Sequence, residues 1–144
     1  MFLLDVNVLI ALCDECHEFR PAAKSWFVQN RANGWATCPM TENGVVRVMG
    51  NPAYSSGKTA PAVARDLLQI LADDPCHVFI PDDISVCQTS HFPNLKATTS
   101  KMLTDLYLIK LASYHHLKLA TFDARIGHQN KVSPAELLII PTLR

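Results

Sequence analysis

The segment Phe2-Leu3-Leu4-Asp5-Val6-Asn7-Val8-Leu9-Ile10-Ala11-Leu12 constrains the chain more than any other. It is almost wholly apolar, yet it holds a carboxylate at Asp5 and an amide at Asn7. Residues 2–4 read as a short buried strand and residues 8–12 as the first turns of a helix running to about residue 16. A buried strand that ends on an acid and turns at once into a helix delivers that acid to the carboxyl edge of a parallel sheet. Open α/β folds bind ligands there. An unpaired carboxylate in such surroundings is costly, which calls for a compensating cation. The same residue serves equally well as a helix N-cap.

Similar strand and helix signals recur along the chain. A helix over residues 21–29 starts on proline and carries Ala22, Ala23, Trp26 and Phe27 on one stripe. Asn33-Gly34 makes a turn into a strand at 35–38, stopped by Pro39. Residues 41–49 admit two readings. Asn43-Gly44 between valines signals a hairpin, while Thr41 can cap a helix on which Glu42 shares a face with Val45, Val46 and Met49. A turn-rich loop over 50–57 precedes a helix at 59–72 and a strand at 78–80. An exposed loop at 91–100 leads to a helix over 100–114, apolar nearly all round and so buried on several sides. Its interior exception is Asp105. Strands follow at 117–122, with Thr121 and Asp123 at the end, and at 136–140. Alternating strands and helices indicate a parallel sheet with right-handed crossovers.

At 144 residues the chain is expected to form one domain, 1–144. The formal charge of zero excludes bulk charge as an argument for nucleic-acid binding, but the distribution is uneven. Residues 84–144 carry seven Lys/Arg against three Asp/Glu, a modest hint of a polyanionic partner. No apolar run is long enough to span a membrane, and the N-terminus lacks the basic region of a signal peptide. Five cysteines without an export signal indicate reduced thiols in the cytoplasm. Cys13-Asp14-Glu15-Cys16-His17 has the spacing of a c-type haem attachment. That chemistry needs export, and a zinc site would need a second ligand pair at suitable spacing, so both readings are set aside.

Four acids sit where acids are least welcome: Asp5, Glu42, Asp105 and Asp123. Strand ends and helix starts on one sheet edge lie together, so Asp5, Glu42 and Asp123 can converge, and the buried helix can offer Asp105 to the same cleft. Unneutralised, such a cluster forces some members to hold protons. One or two Mg²⁺ or Mn²⁺ ions remove that penalty, since hard cations favour oxygen ligands.

The blocks Leu3-Leu4-Asp5-Val6-Asn7-Val8-Leu9-Ile10, Thr41-Glu42, Thr104-Asp105-Leu106-Tyr107-Leu108 and Leu119-Ala120-Thr121-Phe122-Asp123 resemble those of PIN domains, most closely the VapC-type ribonuclease toxins. The resemblance implies an α/β/α sandwich with a central parallel sheet of about five strands, and it favours the helix at Glu42. It also implies a cytoplasmic, Mg²⁺- or Mn²⁺-dependent endoribonuclease acting on structured RNA such as tRNA or ribosomal RNA. A small antitoxin partner and a homodimer belong to the same expectation. Asp5, Glu42, Asp105 and Asp123 match the acidic quartet that holds metal; Asn7 and Thr121, with Thr104 beside Asp105, match its polar helpers. Arg47, Lys101 and Arg125 are candidate RNA contacts, each otherwise a solvated charge. His17, His77, His91, His115, His116 and His128 are assigned to surface or helix-end positions, and Trp26 and Trp35 to the core. A haloacid-dehalogenase-type phosphatase would want an acid where Asn7 stands. A non-cutting PIN-like scaffold for RNA or protein would be expected to have lost acids of the quartet.

Overall fold

Strand β1 (Phe2–Leu4) lies at the centre of a five-stranded sheet. The structure is a computed structural model that describes residues 1–54, 60–130 and 132–142, the side chains of 129 and 130 excepted. After β1 come α1 (Val6–Cys13), α2 (Arg20–Asn30), β2 (Trp35–Thr37), α3 (Pro39–Met49), α4 (Pro61–Ala72) and β3 (His77–Phe79). They are followed by α5 (Leu103–Tyr114), β4 (Lys118–Thr121), α6 (Arg125–Asn130) and β5 (Leu137–Ile139). The strand order is β3-β2-β1-β4-β5, and every pairing is parallel.

This order contains a reversal. The chain builds outward from β1 through β2 to β3, then returns to the other side of β1 and builds outward through β4 to β5. Connections leaving β1 and β4 therefore diverge at the carboxyl edge and open a crevice there. Asp5 and Asp123 stand at its two lips.

Alternation along β1 divides the core. Leu3 packs on one face with Leu108, Ile109, Leu111, Leu119 and Ile126. Leu4 packs on the other with Val8, Leu9, Phe27, Trp35, Val45, Met49 and Leu68. So α5 and α6 cover one face and α1 to α4 the other, the expected α/β/α sandwich. Burying its residues on both faces explains why β1 reads as an unbroken apolar run.

Residues 41–49 are helical, and α3 begins earlier than expected, at Pro39. Cys38 is its N-cap, and the buried Thr41 hydroxyl accepts from the Cys38 backbone N–H at 3.0 Å. Gly44 is explained by packing instead of a turn. A Cβ there would lie 2.6 Å from Val6 Cγ2, so glycine lets α3 press against α1. Helix α1 stops at Cys13, short of the expected residue 16, because Asp14 accepts from the Cys16 backbone N–H at 2.9 Å. Cys13 is buried, its thiol pushed up to about 12 by burial, while Cys16 is exposed. The two sulfurs of the haem-like spacing thus lie in different environments. Trp35 is buried, as expected; Trp26 is half-buried and meets Phe2 edge-on at 5.2 Å.

Other boundaries move by a residue or so. Residues 100–102 form a 3₁₀ turn before α5, and the loop at 91–100 has a short 3₁₀ turn at Leu95–Ala97 and a buried Phe92. The expected start at Thr59 lies outside the described residues. Helix α6 has no counterpart in the sequence reading.

Candidate active site

Asp5 follows β1 directly. Its backbone N–H donates to Ala120 O at 3.0 Å, and its C=O accepts from Val8 and Leu9, so the residue is locked between β4 and α1. The side chain is buried, at 7% exposure. Three donors surround it. Val6 N–H donates to Oδ1 at 2.7 Å; Asn7 Nδ2 and Thr121 Oγ1 donate to Oδ2 at 2.9 and 2.6 Å. Asp5 is therefore both a helix cap and a site carboxylate, and the two sequence readings are compatible.

Asn7 and Thr121 extend this cradle. Thr121 is fully buried at the end of β4. Its single proton goes to Asp5, and its oxygen accepts from Asn7 Nδ2 at 2.9 Å and from Asp123 N–H at 3.1 Å. Asn7 Oδ1 accepts from Phe122 N–H at 3.2 Å. Every polar atom of both side chains is used, and the network binds the end of β4 to the start of α1. An aspartate at position 7, as the phosphatase reading required, could not donate to Asp5 when ionised.

Asp105 enters from the first turn of α5. Burial, reinforced by the charges of Asp5 and Asp123, pushes its carboxyl up to about 6, with Arg125 opposing. Nothing among the described residues donates a hydrogen bond to it. Asp5 is likewise pushed above the usual carboxylate range by burial, with the Asp123 charge adding to the push and its three hydrogen-bond donors opposing it. Asp123 is held below that range chiefly by Arg125, whose Nε and Nη2 donate to its two oxygens at 3.0 and 2.7 Å.

The fourth acid stands apart. Glu42 lies in the first turn of α3, after β2, where its Oε1 accepts from Thr37 Oγ1 at 2.6 Å. Parallel pairing of β2 with β1 puts it on the same sheet edge as Asp5. Its electrostatic partner is His77, whereas Asp5, Asp105 and Asp123 act on one another. The structure thus brings three of the four predicted acids within electrostatic reach of one another and leaves Glu42 apart, on the same sheet edge.

Among the polar candidates, Thr104, Arg47 and Lys101 are exposed, Arg47 in the last turn of α3 and Lys101 in the turn before α5. Arg125 is exposed too, yet its guanidinium is committed to Asp123. The assignment of all six histidines to surface or helix-end positions needs correction at His77. It sits in β3, half-buried, with Nε2 2.8 Å from Thr37 Oγ1. Thr37 was missed altogether. Its signal was a threonine ending a buried strand, the same place that Thr121 holds on β4.

Donors of this cleft are all oxygens, which suits a hard divalent cation, and burial, then the Asp5 and Asp123 charges, push Asp105 upward against the pull of Arg125. Among the described residues no three His, Cys, Asp or Glu side chains are grouped closely enough to hold an ion as they stand. Arg125 covers Asp123 with the positive charge that such an ion would bring.

Comparison with known proteins agrees with this geometry. The PIN domain pattern matches residues 2–132. Ribonuclease VapC39 of Mycobacterium tuberculosis is 38% identical over 136 residues, covering 94% of this chain and 98% of that protein. Ribonuclease VapC38 of the same species is 38% identical over 143 residues, 97% and 99% of the two chains. Ribonuclease VapC44 is 37% identical over 125 residues, 87% of each. The chain belongs to the PIN-domain family, among its VapC-type ribonucleases.

Proposed function

We propose that this chain is a metal-dependent endoribonuclease that hydrolyses phosphodiester bonds of structured RNA, tRNA or ribosomal RNA, as the toxin of a toxin–antitoxin pair. The observation that carries this reading is the convergence of Asp5, Asp105 and Asp123 at the sheet's switch point, with Asp105 pushed to about 6. The ribonuclease names of relatives matched along nearly the whole chain support the RNA substrate.

In this reading Asp5, Asp105 and Asp123, with Glu42, hold Mg²⁺ or Mn²⁺. A bound ion of this kind lowers the pKa of water and stabilises charge on phosphoryl oxygens. The chain's own work is positional. Asn7 and Thr121 fix the Asp5 carboxylate so that little reorganisation remains when substrate arrives. Asp105, which nothing among the described residues fixes, is the carboxylate free to turn toward a cation or hold a proton. Arg125 can exchange Asp123 for an RNA phosphate, since its side chain is 78% exposed. Thr104, Arg47 and Lys101 lie on exposed positions open to the RNA backbone. A small antitoxin, a homodimer and a cytoplasmic setting complete the reading.

The test incubates purified protein with total RNA in Mg²⁺ or in EDTA, beside the Asp105→Asn variant. Discrete fragments that form only with wild type and Mg²⁺ are the expected result. Equal cleavage in EDTA, or by the variant, contradicts the reading.

A further inference from the structure

The group least explained by the carboxylate cluster is His77, on the edge strand β3. Its ring meets the buried Trp35 ring at 4.4 Å, and its Nε2 lies 2.8 Å from Thr37 Oγ1. Thr37 Oγ1 donates to Glu42 Oε1 at 2.6 Å. A hydroxyl has one proton, and here it is spent on the carboxylate. Thr37 must then accept from His77, so Nε2 is the nitrogen that carries hydrogen. The chain of bonds runs one way, from imidazole N–H to hydroxyl oxygen and from hydroxyl proton to carboxylate. No other donor among the described residues reaches Glu42.

We propose that His77 is a positioning residue for Glu42, acting through Thr37. With Nε2–H donating, the Thr37 hydroxyl has one low-energy orientation, and its proton points at Glu42. Glu42 is otherwise a long side chain free to rotate, so this bond selects the rotamer in which it meets the cleft. Burial favours the neutral ring, and the Glu42 and Asp74 charges and the Ala72 carbonyl oppose burial without overcoming it. A neutral ring has one hydrogen for two acceptors, the Thr37 hydroxyl oxygen and the Ala72 carbonyl, and the 2.8 Å contact with Thr37 selects Nε2. The consequence for cleavage rests on the ribonuclease reading above; the order of the hydrogen bonds does not.

Two variants separate positioning from packing. His77→Phe keeps the ring against Trp35 and removes the Nε2–H donor. His77→Gln loses the ring and keeps an amide donor of similar reach. If His77 positions Glu42, His77→Phe and Thr37→Val each lower kcat about tenfold with KM little changed, while His77→Gln stays near wild type. If His77 only packs, glutamine is the damaging change and phenylalanine is tolerated, which overturns the proposal. Nitrogen-15 spectra of the histidine rings in the full chain give a second readout that needs neither RNA nor metal. The His77 ring should hold its hydrogen on Nε2 in wild type and lose that preference in Thr37→Val. A wild-type ring protonated on Nδ1 alone refutes the relay, whatever the nuclease assay shows. Wild type that cuts no RNA but shows the Nε2–H ring contradicts the ribonuclease reading and leaves the relay standing.

Discussion

Asp5 and Asp105 face one crevice and are both pushed upward by burial, yet their surroundings are opposite. Asp5 sits in a built cradle of three donors on rigid strand and helix ends. Asp105 rises from the first turn of α5 with no donor among the described residues. One carboxylate is fixed by the protein; the other is left with charge that something else must neutralise. The difference teaches that the site is built on its β1–β4 side and, in the metal-dependent reading proposed above, takes its cation on its α5 side.

Function should not distinguish the two acids. Asp5→Asn and Asp105→Asn are each expected to reduce RNA cleavage on the order of 10²–10³-fold, read as fragment formation with Mg²⁺. Near-normal cleavage by either breaks the comparison at its root.

Stability should separate the two sides. Thr121→Val removes the hydroxyl that serves Asp5, Asn7 and Asp123 at once, leaving the Asp123 N–H without its acceptor. A loss of about 1–3 kcal/mol is expected in denaturant unfolding, from buried groups left unpaired. Asp105→Asn should act in the other direction. A folded pKa of about 6 against an ordinary 3.8 means that the native state binds the extra proton between those values. Unfolding releases it, so the stability of metal-free wild type falls as pH rises from about 4 to 6 and then levels. The variant should lack that decline and be about 1–2 kcal/mol more stable at pH 7, solvent screening included. Equal pH profiles for the two proteins would show that Asp105 is not under charge stress.

The smallest effect concerns Arg125, which neutralises Asp123 while Asp105 stays bare. Arg125→Ala should tighten Mn²⁺ binding a few-fold by calorimetry, as removal of an exposed competitor for Asp123. Weaker Mn²⁺ binding would instead make Arg125 a support of the site.

The sequence carried the fold because its central strands β1 and β2 are buried on both faces and so stand out as short apolar runs between helices. The acids were legible for the same reason, as charges inside apolar segments. The helix over residues 41–49 was legible only through the family resemblance, because Asn43-Gly44 is a local hairpin signal and the need for glycine arises only where Val6 of α1 meets α3. Helix α6 was hidden by its length of 6 residues and by Gly127 inside it. Its start is set by Asp123, which accepts from the Arg125 backbone N–H at 2.9 Å. His77 was misplaced through a one-residue shift in β3, expected at 78–80 and found at His77–Phe79, whereas Thr37 lies within the expected strand 35–38 and its role depends on the cross-strand contact with His77. The register that pairs His77 with Trp35 decides where its ring lies, and pairing across strands is not written in either strand alone.

The most direct test of an unneutralised Asp105 beside a prepared Asp5 is a carbon-13 titration of the Asp105 carboxyl, in EDTA and in saturating Mg²⁺. In EDTA the Asp105 signal should titrate near 6, and with Mg²⁺ its midpoint should fall below the usual carboxylate range. An Asp105 that titrates at an ordinary 3.8 in EDTA, or whose midpoint ignores Mg²⁺, contradicts the account.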